Sequence, residues 1–426
     1  QDSELVRIER LTVEADLDTG KLGSGGLPLN THRVLLDGVH VNTRLLQDGT
    51  PSISELLPMP EFGPVTPRME IRRLRLHLVD CDSKSRPMIA TFPEVLVVRT
   101  RNAEGKTDDS ITLRGSTDFA NSLVVQVNTS SQGVDIRGVV KGAYLSRDLF
   151  DRLPPQWRKS VREVRDLQCI CDTSFAVHQS PDGKLDYKLK TTIHEGRFSH
   201  QSIPQPISQL RGIVICDPSG VSIQTSQFMF GDSLVRTSGR IHGHAWPCTA
   251  DLKMNAGNIM LDDRLAAALP SKMQANWHKF SPYGRIDIEG KLLHEDLQWK
   301  LDGHVTCKGV DVQYERFPYP VENLFGKVEI RDGIAVAERL GGTIGSNQMQ
   351  CAFKLPVKPG LTLEKAFAIT TDGPIPIDAT LLKSMSPRDG PTSKLETFAR
   401  SLKPRGSLHL VTALITTDAN GRSSRK

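Results

Sequence analysis

The chain of 426 residues is short of aromatic side chains, at 5% Phe, Trp and Tyr, and only 38% of it is hydrophobic. That is lean for an enzyme packed around one large core, and too evenly apolar for disorder. A thin two-layer sheet with much solvated surface fits better. It also lacks a long apolar run. Stretches such as Glu94–Val98 and Leu408–Ile415 fall far short of the roughly 18 residues a membrane-spanning helix needs. No block of one charge sign is present, because 54 basic and 49 acidic residues interleave to a net charge of +5, so nucleic acid is not an expected partner. The first residue is Gln1 and no signal-peptide pattern follows it, which reads as a processed or excised segment.

Motifs for chemistry are missing as well. There is no P-loop, no GxGxxG after a strand, no HExxH and no nucleophile elbow. Seven cysteines (Cys81, Cys169, Cys171, Cys216, Cys248, Cys307, Cys351) form an odd, scattered set with no legible disulfide framework. Cys169 and Cys171 share a strand face and read as buried strand residues, since no second ligand pair accompanies them. His242 and His244 also alternate, but at a turn-proximal position where histidine is ordinarily solvated. The acidic pair Asp262–Asp263 reads as a helix cap, and Glu295–Asp296 as a turn between strands, not as the facing acids of a glycosidase. The expectation is therefore no catalytic residue, no cofactor and no metal.

What is present is short alternating segments, such as Met69–Leu78 and Gly284–Leu292, punctuated by turn signals at Pro181–Gly183, Asp217–Gly220, Arg331–Gly333 and Asp418–Gly421. This is the pattern of antiparallel meanders with one wet face. Three helical exceptions resemble one another: Leu145–Leu153, Leu261–Leu269 and Ile377–Met385. Each has apolar residues at i, i+4 and i+8, a Ser or Asp placed to cap it, and a stopping proline (Pro154, Pro270, Pro387). They recur at 261 − 145 = 116 and 377 − 261 = 116 residues.

A proline corner recurs too. Pro204–Cys216 pairs with Pro318–Ile330, where Gly212 and Gly326 are 326 − 212 = 114 residues apart. The prolines suit a strand entry, and the glycine a bulge or a close backbone approach. One unit thus reads as helix, strand pair, proline corner and strand pair. The expected segments are 1–60, strand-rich and unassigned, with Gly23–Gly26 and an apolar stretch at Ile53–Leu57; 61–142, a divergent strand-rich segment; repeats at 143–257 and 258–374; and a truncated unit with a polar tail at 375–426. Trp157 and Trp277 follow two of the helices and read as packing residues, as do Phe317 and Tyr319 in the corner.

The run Leu301–Gly333, with Phe317-Pro-Tyr-Pro320 leading through Gly326 to an Asp-Gly turn, and the following Leu340–Gly345, resembles the AsmA-like family of bacterial envelope proteins. With the helices, the resemblance covers roughly 143–415. It implies an elongated, curved, mainly antiparallel β-sheet of repeats, open like a groove, with short helices at repeat junctions. It further implies a non-catalytic protein of the periplasm of a diderm bacterium, anchored to the inner membrane by a segment not present here. Such a protein handles phospholipid along an apolar groove and supports outer-membrane homeostasis. Physically, an open apolar strip receives acyl chains at roughly 0.8 kcal/mol per buried CH₂, with Lys and Arg at its rim for lipid phosphates. The alternatives are a structural or adhesion scaffold with a filled core and, third, a carbohydrate-active β-solenoid enzyme.

Overall fold

The structure is a computed structural model, and it describes residues 5–17, 29–45, 67–80, 87–101, 107–152, 164–200, 203, 205–244, 248–269, 271–295, 298–357, 365–408, 413–417 and 423–425. Several expectations fall outside these residues: the stretches at Gly23–Gly26 and Ile53–Leu57, Cys81, Pro154, Trp157, Pro204, Pro270, Asp296 and the turn Asp418–Gly421.

The chain divides into two compact units, residues 1–199 with 209–224, and residues 200–208 with 225–426. The first holds β1 (Val6–Leu17), β2 (Leu29–Leu45), β3 (Arg68–Asp80), β4 (Met88–Arg101), β5 (Thr107–Thr117), β6 (Ala120–Ser130) and β7 (Gly133–Ser146). Helix α1 (Arg147–Asp151), β8 (Val164–Gln179), β9 (Leu185–His200) and most of β10 (Ile207–Asp217) complete it, and β11 (Gly220–Phe230) carries the chain into the second unit. From β3 to β8 every strand pairs antiparallel with its successor in sequence. This is the meander that the turn signals call for.

One pair departs from the expectation of an antiparallel fold: β2 and β3 run parallel, from Arg33↔Arg68 to Leu45↔Asp80. Period-2 alternation is the same for either direction, so it cannot reveal this. The 22 residues between β2 and β3 (67 − 45 = 22) exceed the dozen or so that a parallel crossover requires. Apolar residues from β2, β3 and β4 bury together, including Val34, Val41, Met69, Phe92 and Val95.

The second unit contains β12 (Ser233–His242), β13 (Thr249–Leu261), α2 (Asp263–Ala268), α3 (Ser271–Phe280), β14 (Tyr283–Glu295), β15 (Gln298–Tyr314), β16 (Phe317–Arg331), β17 (Ile334–Ile344), β18 (Asn347–Pro356) and β19 (Lys365–Thr371). It ends with β20 (Ile375–Pro376), α4 (Ala379–Lys383), α5 (Lys394–Ser401), β21 (Ser407–Leu408), β22 (Ala413–Thr417) and β23 (Ser423–Arg425). Strands β12 to β19 again pair with their sequence neighbours, β19 then pairs with β22, and β22 with β23. In neither unit does a described first strand pair with the last. The sheet is open, and the fold is mainly β with short helices, as expected.

Three helices begin where the repeated cap residues place them. The Ser146 hydroxyl accepts from Leu149 N, the Asp262 carboxylate from Leu265 N and the Asp378 carboxylate from Leu381 N, each cap residue being extended. Each satisfies an otherwise orphaned N–H of the first turn. The helices are shorter than the expected nine-residue spans: Leu145 lies in β7, Leu261 ends β13, and Ile377 precedes the cap. Their apolar side chains meet the core from strand backbone, so the i, i+4, i+8 spacing overstates the helix. Among the described residues six strands, β8 to β13, separate α1 from α2, more than the two strand pairs that the repeat pattern predicts. Helices α3 and α5 were not anticipated.

The 114–116-residue offset extends to backbone detail. Register shifts fall between Val140 and Ala143 in β7, and between Ala256 and Ile259 in β13. Within these bulges Gly142 (φ 60°) and Asn258 (φ 63°) are left-handed, at an offset of 258 − 142 = 116. Their N–H groups donate 2.7 Å hydrogen bonds to Asp172 and to Asp287. Each carboxylate's second oxygen meets a side chain from the next strand, the His194 imidazole at 3.0 Å or the Lys308 ammonium at 2.5 Å. In the proline corners, Gln209 (φ 50°) and Asn323 (φ 51°) correspond at 323 − 209 = 114.

Candidate functional site

Strands β6 to β9 present two chemically opposite faces. Residues paired across antiparallel strands share a face. Leu123 pairs with Val140, Val125 with Gly138 and that with Phe175, and Val127 with Ile136 and that with Val177. These form an apolar face. All are half-buried, whereas their neighbours on the other face, including Gln126, Arg137, Ser174 and Lys188, are exposed. Alternation in the sequence produces this division, interrupted where Val124, Val139 and Ala176 put apolar side chains on the exposed face, and one residue of slip would invert every side chain.

Gly138 makes the apolar face smooth at its middle. A Cβ added there would stand 2.3 Å from Phe175 Cζ, so the Phe175 ring lies across the position a side chain would take. Every described strand of the first unit belongs to one sheet, so no second sheet from this unit covers the face. Among the described residues of this unit, α1 is the one helix beside these strands. Helix α1 sits at a strand end, where Leu149 is buried and Arg152 is tied to Asp118 and to Pro87 O.

At the end of the strip nearest α1, Cys169 and Cys171 are buried beside Ala120 and Ala143. They occupy one strand face, as alternation requires. The hydrogen bond between them holds the Cys171 thiol down at about 7 and pushes Cys169 up.

The opposite face bears a cavity of about 460 Å³. Val124, Val139 and Ala176 line it together with Arg137, Lys188 and Lys190. Thr173 and Thr191 hydrogen-bond across β8 and β9 at 3.0 Å, which puts the adjacent Lys190 on the Ser174 face. The cavity has an apolar floor and a cationic rim. Its sequence signal was the alternation Lys188-Leu-Lys190, which is indistinguishable from an ordinary solvated strand face.

The second unit treats its apolar face differently. Val235, Ala256, Ile259, Ile286, Leu324, Leu340, Met349 and Leu381 of α4 are among 15 buried residues of one cluster, against which Leu265 of α2 and Trp277 of α3 pack. Trp277 therefore joins helix to sheet. Tyr319 belongs to the same cluster, where burial pushes its hydroxyl up, while Phe317 stacks on it at 6.3 Å and remains exposed. Gly326 (φ 127°) lies against β17, with a Cβ placed 2.9 Å from Arg339 O, the close approach read from the corner.

The remaining sequence candidates do not converge. Asp262 is held well below the usual carboxylate range by the Leu265 N–H it caps and by Arg264. Glu295 pairs with Lys300 on the surface, and His242 and His244 are exposed. Among the described residues no three His, Cys, Asp or Glu side chains are grouped so that they could hold a metal ion. The described cysteines are free thiols. Sequence reasoning missed His294, which is buried, hydrogen-bonded through Nδ1 to Cys248 O at 2.6 Å and packed on Trp299. No helix among the described residues is long and apolar enough to cross a membrane. The chain matches no protein-family model, no curated protein and no solved structure.

Proposed function

We propose that this chain is an AsmA-like, non-catalytic segment of an envelope protein that holds phospholipid acyl chains along the apolar face of its sheet, in the periplasm of a diderm bacterium. The observation that carries this reading is the face of Leu123, Val125, Val127, Ile136, Val140, Phe175 and Val177, which stays half-buried while the corresponding face of the second unit is a closed core. A surface of that kind gains free energy from any apolar guest, at roughly 25 cal/mol per Å² removed from water. Acyl chains suit it because a strip of parallel cross-strand rows offers continuous contact and no directional partner. Carriage would require no reacting group, which agrees with acidic candidates that serve as caps and surface pairs.

The test is lipid extraction from the purified chain followed by mass spectrometry, with binding of a fluorescent fatty acid measured alongside. Co-purified phospholipid, and probe binding weakened at least tenfold by Val125→Asp with circular dichroism unchanged, are the expected results. Absence of both lipid and probe binding refutes the reading. A scaffold with a filled interior is the second reading, favoured by the 15-residue buried cluster of the second unit.

A further inference from the structure

Helix α5 is built inside out. Its one acidic residue, Glu396, is 6% exposed, while Leu395, Phe398 and Leu402 are 60%, 61% and 62% exposed. Positions i, i+3 and i+7 fall on one stripe of a helix. Polar ties orient the helix this way. Ser393 Oγ accepts from Glu396 N at 3.0 Å, and the Glu396 carboxylate accepts from the Ser386 hydroxyl and, at 2.8 Å, from Arg400 Nε. The preceding turn is fastened in its own unit: Arg388 N donates to Glu315 O at 2.9 Å, and its guanidinium reaches His278 O at 2.5 Å at the end of α3. The stripe is thus presented outward by a set of hydrogen bonds, and Leu408, 49% exposed, adds to the same apolar end of the chain.

Charge identifies what covers it. Between residues 378 and 408 there are six basic residues (Lys383, Arg388, Lys394, Arg400, Lys403, Arg405) and three acidic ones (Asp378, Asp389, Glu396), a local balance of 6 − 3 = +3. The acids are engaged internally: Asp378 caps α4, Asp389 pairs with Arg388, and Glu396 is buried. Lys394, Lys403 and Arg405 flank the stripe and are exposed. Apolar residues on one line with unengaged cations beside them match an anionic lipid surface, where the side chains enter the acyl boundary and the cations meet phosphate. A protein groove would need acidic groups along both rims to match the same cations.

We propose that the α5 stripe docks this chain onto the surface of an anionic bilayer. This contact is separate from acyl-chain carriage on the β6–β9 face and does not depend on it. The test is vesicle flotation of the full chain with phosphatidylglycerol–phosphatidylcholine vesicles and with pure phosphatidylcholine vesicles. The chain is expected to float with the anionic vesicles and at least tenfold less with the neutral ones. Leu395→Ser, Phe398→Ser and Leu402→Ser together should abolish flotation, and Lys394→Gln, Lys403→Gln and Arg405→Gln together should remove the preference for anionic vesicles. All six side chains are exposed, so folding should be retained, and fatty-acid probe binding should be unchanged in both variants. Equal flotation with both vesicle types, or a serine variant that floats like the parent, overturns the proposal. So does sedimentation showing that the stripe mediates a dimer and no vesicle binding.

Discussion

The apolar faces of β6–β9 and of β13–β18 arise from the same alternation, yet one is half-exposed and the other is a core. Over β13–β18 the covering residues come from helices. In the second unit α2, α3 and α4 bring Leu265, Trp277 and Leu381 down onto the strands, and Leu340, Ala337 and Val310 reach 3%, 1% and 3% exposure. In the first unit α1 is five residues long and contributes Leu149 at a strand end. A period-2 pattern therefore specifies that a face is apolar, while what packs against that face decides whether it is closed or stays available to a guest.

The largest effect that would break this comparison is a core truncation. Leu340→Ala should destabilise the second unit by about 2–5 kcal/mol, because it leaves a cavity among fixed neighbours, whereas Leu123→Ala on the half-exposed face should cost under about 1.5 kcal/mol. Chemical denaturation of the two variants checks this, and equal losses would mean that the β6–β9 face is as closed as the core. Next in size is the paired bulge. Gly142→Ala should cost about 1–3 kcal/mol, since φ is 60° and the new Cβ would lie 2.4 Å from Asn121 Nδ2. Asn258→Gly, at the equivalent place, should be neutral within about 0.5 kcal/mol, as read from thermal midpoints. Smaller again are the caps: Ser146→Ala, Asp262→Ala and Asp378→Ala should each lose about 0.5–2 kcal/mol.

The smallest effect concerns acid. The Gly142 N–H and His194 lower Asp172, while Lys308 and the Asn258 N–H lower Asp287. A carboxyl lowered on folding adds stability above its ordinary value, near 3.8, and that contribution disappears as pH falls through the lower folded value. Asp172→Asn and Asp287→Asn should therefore flatten the loss of stability below about pH 4 and lower stability at neutral pH by under about 1 kcal/mol, since both carboxylates are partly solvated. A pH series of denaturation curves tests both, and an unchanged acid limb in both variants would show that these clasps do not contribute.

What the sequence made legible was local. Ser146, Asp262 and Asp378 could be read as caps because capping needs only a short polar side chain before an apolar turn. The hairpin at Arg331–Gly333 could be read because Asp332 (φ 52°) and Gly333 (φ 76°) adopt the left-handed pair that a tight β-turn demands. The clasps at Asp172 and Asp287 were not legible, since an aspartate on the wet face of a strand carries no mark of the bulge opposite it. Neither was α5, whose one buried residue is a glutamate and whose leucines face outward, the reverse of the pattern by which a surface helix is recognised. The Cys169–Cys171 pair was read as buried from alternation alone, and it is. The cationic rim of Arg137, Lys188 and Lys190 needed three strands to be placed side by side.

Neighbour-in-sequence pairing from β3 to β8 and again from β12 to β19 has a kinetic consequence. Most of these hairpins close through a short loop, β7–β8 and β13–β14 being joined instead by connections of 163 − 146 = 17 and 282 − 261 = 21 residues, so the entropy of bringing most partners together stays small. Ordering can start at any hairpin and spread outward one strand at a time, as in linear repeat proteins. The β2–β3 pair is the exception, because it cannot form until a crossover has brought distant residues into line. Refolding should thus be fast along the meanders, with a slower final phase localised at residues 29–80 and visible as late hydrogen-exchange protection in β2.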